Sequence, residues 1–186
     1  MIILGIDPGS LKTGYGIIQI NGKKTQLLDC GVLRFDSKLD LVDRLAPIHS
    51  AVSELVQKYN PDCVALESLI FAKSVPSLAK LAQARGAIIT GLGEKYCGKI
   101  FEYAPTLVKS TVTGHGQATK EGVDKTLKMI FGKDVEFASN DASDAVAIAL
   151  CHSLHGGSAT PKLKSKSKSR SLKSVFANWE GARKKA

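Results

Sequence analysis

The first 35 residues carry three apolar runs rich in Ile, Leu and Val, at 2–7, 14–20 and 25–35, punctuated by Pro8-Gly9 and Asn21-Gly22. Such runs between turn signals predict strands. Their links are too short for a helical crossover, which favours antiparallel neighbours. The pattern then changes period. Leu41, Leu45, Ile48, Val52, Leu55 and Tyr59 recur at three- and four-residue steps, which predicts a helix ending before Asn60-Pro61, with Pro47 imposing a kink or a late start. "DCVALE" at 62–67 predicts a fourth strand, Leu78, Leu81, Ile88 and Leu92 stripe a helix from Pro76 to Tyr96, and "KIFEYA" at 99–104 predicts a fifth strand. Further helical pieces fall near 105–112, 120–131 and 140–155. Strands reached through helices run parallel to a neighbour, so the expectation is an α/β fold built on a five-stranded mixed sheet flanked by helices.

A chain of 186 residues suffices for one domain, burying roughly 70% of the surface its unfolded form exposes. Cys30, Cys63, Cys97 and Cys151 contain no C-x-x-C pair and are expected to be small, reduced core residues. The apolar start is broken by Gly5 and Asp7 and lacks a basic leader, and no later run is long enough for a bilayer, so the chain is expected to be cytoplasmic and free of membrane. The net charge of +9 is uneven: residues 162–186 hold nine Lys and Arg against one Glu, while the rest holds 17 basic and 16 acidic residues. The boundary is therefore drawn near Gly156-Gly157. It separates a domain at 1–157 from a basic, low-complexity tail at 158–186, which is expected to be disordered alone and to bind a polyanion.

Two acids close short apolar strands, Asp7 and Glu67, and two more, Asp141 and Asp144, stand three apart at the start of the last helix and so share a face. If the two strands are parallel neighbours, their acids emerge at one sheet edge. Four carboxylates in one cleft resist full ionisation unless a cation sits among them. An oxygen donor set without His or Cys favours Mg²⁺ or Mn²⁺ over zinc, and two such ions suit phosphodiester hydrolysis. Each acid also has an ordinary structural reading: Asp7 opens a turn, Glu67 ends an exposed strand, and Asp141 and Asp144 complement a helix dipole. His49, His152 and His155 are read as surface or packing residues. His115, in "TGHGQATK" between Lys109 and Lys120, belongs to a glycine-bearing loop that fails the nucleotide P-loop pattern and suits contact with a nucleic-acid backbone.

The stretches "ILGIDPGSLKTGYGII", "ALESLIFAK", "LAKLAQARG", "FEYAPTLVKSTVTGHGQATK" and "DASDAVAIAL", in this order over residues 2–152, resemble the RuvC family of Holliday junction resolvases, within the ribonuclease H-like superfamily. The resemblance implies a ribonuclease H-like sheet, with Asp7, Glu67, Asp141 and Asp144 holding two Mg²⁺ ions and Lys109 and Lys120 assisting catalysis. It implies an aromatic that stacks on an opened base; that position falls on Ile70, which passes the role to the adjacent Phe71. Lys73 and His115 are further candidate DNA contacts. It also implies a homodimer, with the 76–96 helix as the natural interface, acting on four-way junction DNA together with the branch-migration motor complex (RuvA and RuvB).

The leading expectation is thus a metal-dependent endonuclease that resolves Holliday junctions by paired symmetric nicks in recombination and repair. The alternatives are a related nuclease acting on structured RNA, in a branch expected to lack the lysine-bearing 105–120 segment, and a non-catalytic junction-binding protein. An actin-like ATPase needs two lobes and a second phosphate loop, for which this chain has no room.

Overall fold

The computed structural model describes residues 1–69 and 74–155. Strands β1 (Ile2–Asp7), β2 (Lys12–Asn21) and β3 (Lys24–Arg34) form an antiparallel meander, followed by α1 (Leu41–Tyr59), β4 (Cys63–Glu67), α2 (Val75–Leu92), β5 (Ile100–Tyr103), α3 (Pro105–Thr113), α4 (Lys120–Phe131) and α5 (Asn140–His155). The sheet order is β3-β2-β1-β4-β5, with β4 parallel to β1 and β5 parallel to β4. This is the mixed five-stranded sheet expected from the strand and helix order. The expected tail at 158–186, like Phe71 and Lys73, lies outside the described residues.

Strand alternation divides the core into two halves. Leu4, Ile6, Ile17, Val64 and Leu66 point to one face and pack on Ile48 and Val52 of α1 and on Ala84 and Ile88 of α2. Ile3, Ile18, Cys63 and Ala65 point to the other and meet α3, α4 and α5. Helix α5 lies deepest, with a buried run from Ala145 to His152, which is why its sequence is apolar nearly all round. Its one deeply buried imidazole, His152, is satisfied by the Tyr103 hydroxyl at 2.7 Å and the Cys63 thiol at 3.1 Å.

Three local expectations are corrected. Pro47 does not delay α1, which begins at Leu41 and runs through it; its face is exposed, so the carbonyl that loses a donor can turn to water. The α2 helix stops at Leu92 because Gly93 adopts φ +82°, and Tyr96 belongs to a separate 3₁₀ turn, Glu94–Tyr96. The cysteines are all free, but only Cys63 and Cys151 are buried; Cys97 is exposed and Cys30 half-buried.

Candidate active site

The register of β1 on β4 pairs Ile6 with Leu66, so Asp7 and Glu67 leave the sheet side by side at the carboxyl ends of parallel neighbours. Both continue the alternate positions Ile3, Gly5 and Cys63, Ala65, and therefore project onto the α5 side. The α5 helix sits almost on the sheet backbone. A Cβ added at Gly5 would lie 2.1 Å from the Ala145 carbonyl oxygen, and one at Gly14, which pairs with Asp7, would lie 1.9 Å from that of Asp141. The absence of side chains there lowers the first turn of α5 over Asp7. Ser139 starts the turn by accepting the Ala142 and Ser143 amides, and the three-residue step sets Asp141 and Asp144 on one face.

The second wall is basic. Lys109 lies on α3, directly after β5, and Lys120 is the first residue of α4, capped by Thr119. A cation at a helix N-terminus opposes the helix dipole, so Lys120 is placed against local preference. Its ammonium lies 3.0 Å from Asp144 Oδ2, and that bond holds Lys120 above its ordinary value.

Asp7, Glu67, Asp141, Asp144, Lys109 and Lys120 all line one cavity of about 310 Å³, whose apolar wall includes Val108, Val123 and Ile148. The ordinary reading of Asp7 as a turn-former fails: the turn is closed by Thr13, whose hydroxyl donates to the Gly9 carbonyl at 2.9 Å. Neither Asp7 nor Glu67 has a side-chain hydrogen bond or ion pair among the described residues. Burial, then Glu67, Asp144 and Asp141, push Asp7 up to about 7 against the pull of Lys120. Burial and Asp144 also raise Glu67, while Lys120, Lys109 and Arg85 lower it.

The acids share the cavity without forming a tight cage, since no group of three or more His, Cys, Asp and Glu side chains among the described residues is close-set enough to grip an ion as it stands. The donor set nevertheless fits a hard divalent cation: all oxygen, no imidazole or thiolate, and two carboxylates that protein groups leave unneutralised.

His115 is brought to the rim only. It is exposed on the turn between α3 and α4, where its amide donates to the Thr113 hydroxyl at 3.2 Å, and it does not line the cavity. The sequence reading missed Arg85. This buried α2 residue donates through Nη1 to the Glu67 carbonyl at 2.5 Å and holds Glu102 Oε1 at 2.8 Å in a close ion pair, not an aligned hydrogen bond. It pins the strand end that carries Glu67. A basic residue amid the apolar stripe of α2 was the available signal. Beside the acids a more apolar cavity, of about 290 Å³, shares Glu67 and Pro105 and is walled by Leu69, Leu78 and Leu81.

The family model described as "Crossover junction endodeoxyribonuclease RuvC" matches residues 3–152. A curated protein of that name from Natranaerobius thermophilus is 44% identical over 153 residues, covering 82% of this chain and 94% of its own. The solved structure of Thermus thermophilus RuvC in complex with a Holliday junction substrate is 31% identical, covers 84% of this chain and 94% of that one, and superposes with a TM-score of 0.77. The yeast mitochondrial Holliday junction resolvase Ydc2 shares the fold at 15% identity, with a TM-score of 0.57 and coverage of 80% and 76%. A family match spanning the sheet, both lysines and all four acids makes this chain a member of the RuvC family of crossover junction endodeoxyribonucleases.

Proposed function

We propose that this protein resolves Holliday junctions, cutting two symmetry-related strands by phosphodiester hydrolysis in homologous recombination and repair. The observation that carries the reading is the single cavity in which two strand-end carboxylates, without a hydrogen-bond or ion-pair partner among the described residues, face an acidic helix turn and two lysines. Asp7, Glu67, Asp141 and Asp144 would hold the cations, expected as two Mg²⁺ with Mn²⁺ as the alternative. When bound, these ions activate a water nucleophile and stabilise the leaving oxygen. Lys109 and Lys120 offset charge gathering on the scissile phosphate, Lys120 through a position already fixed by Asp144. The apolar wall excludes bulk water and strengthens these electrostatic contacts.

A four-way junction with two-fold symmetry is matched by a two-fold protein. The first turns of α2 supply the apolar surface for a second copy, with Val75 81% and Leu78 39% exposed. Phe71 and Lys73 follow Glu67 closely in sequence and are assigned base stacking and strand contact; Phe71→Ala should slow cutting more than it weakens junction binding. Cooperation with the branch-migration motor complex, and action in the cytoplasm, belong to the same reading. Among the described residues no helix is long and apolar enough to cross a membrane.

The test is cleavage of a synthetic four-way DNA junction beside a linear duplex of the same sequence, with and without Mg²⁺, by wild type and Asp144→Asn. Paired nicks confined to the junction, dependent on metal and lost in the variant, are expected. Binding without nicking in any divalent metal, or preference for duplex RNA, would overturn the reading.

A further inference from the structure

The sheet face that carries the acids extends one row beyond them. Asp7 pairs with Gly14, and Gly14 with Val32; the next row outward pairs Lys12 with Arg34. Both basic side chains are on the α5 side, because Ile18 and Cys30, on the same alternation, pack there, whereas Thr13 and Leu33 belong to the alternate set, with Leu33 packed against the α1 and α2 core. Lys12 is thus one strand across and two residues, about 7 Å, along from the row of Asp7.

Like charges directly opposite on neighbouring strands destabilise a sheet. No direct contact relieves this pair: both residues are exposed, and neither side chain has a hydrogen-bond or ion-pair partner among the described residues. The nearest acid in sequence, Asp36, accepts the Lys38 amide at 2.8 Å instead. The acids therefore have basic groups on two sides, Lys109 and Lys120 on α3 and α4 and the Lys12–Arg34 pair on β2 and β3.

We propose that Lys12 and Arg34 bind backbone phosphates of the DNA arm that leaves the cleavage site on the β2–β3 side. This rests on the nuclease reading above and adds a binding surface to it. The pair fixes where the strand lies and reads no bases.

The experiment measures affinity of the full chain for a four-way DNA junction in EDTA at several salt concentrations, for wild type, Lys12→Gln/Arg34→Gln, and Lys23→Gln/Lys24→Gln at the far end of the same strands. Each phosphate neutralised contributes about 0.9 to the slope of log affinity against log salt. The first variant should lose about 1.8 from that slope, melt no lower than wild type, and still nick at saturating protein with Mg²⁺. The control pair should keep the wild-type slope. An unchanged slope in the first variant, or an equal loss in both, would assign Lys12 and Arg34 to guarding the sheet edge or to general charge. Wild type that binds and cuts alongside such a result overturns this proposal alone; wild type that neither binds nor cuts overturns the nuclease reading with it.

Discussion

Asp7 is where the chain trades stability for chemistry. A carboxylate at an ordinary 3.8 is held near 7 in the folded protein, so between those pH values the folded chain binds a proton that the unfolded chain has released. Stability of the metal-free protein should therefore fall as pH rises from about 4 to about 7. Asp7→Asn removes the penalty. We expect it to stabilise the metal-free protein at pH 8 by about 1–2 kcal/mol, the gain shrinking as the pH drops towards 4, while cutting is abolished. Melting curves across pH check the sign. Mg²⁺ should raise the melting temperature of wild type more than that of Asp7→Asn, because a ligand that binds only the native state stabilises it; equal shifts would take Asp7 out of the metal site.

At the level of elements, the site is set by how closely α5 approaches β1 and β2. Gly14→Ala places a methyl group on the Asp141 carbonyl. Overpacking of this kind costs typically 1–3 kcal/mol, and the shift of α5 should also slow cutting, measured in single turnover with saturating protein. Arg85→Met should lower the single-turnover rate about tenfold, or 1.4 kcal/mol, with junction affinity within twofold. Lysine should not restore the rate, because one ammonium cannot reproduce the fork on Glu67 and Glu102. These dependences also mark what the sequence makes legible. Turn residues and periodicity located the strands and helices, and strand-end acids pointed to the cavity, since both signals are local. Contacts between distant segments were not readable: Gly5 and Gly14 look like ordinary strand glycines until α5 lies on them, and Arg85, though its place on the apolar stripe of α2 marks it as unusual, has no visible partner until its guanidinium meets the end of β4.

For the whole molecule, charge is concentrated at the carboxyl end, where residues 162–186 carry nine Lys and Arg. Their removal should weaken binding to any DNA and flatten its salt dependence, and an unchanged slope would deny the tail a DNA role. The proposed nuclease site joins residues far apart in the chain, Asp7 and Glu67 on the sheet to Asp141 and Asp144 on the last described helix. Contacts of such sequence separation carry a large loop-closure cost, which slows their formation. A ribosome-bound chain that has not yet released α5 holds only two of the four acids proposed to hold the cations, and should not cut DNA. On the proposed site, the order of synthesis would leave an unfinished nuclease harmless, and in synchronised refolding cutting should appear only once α5 has docked on the sheet.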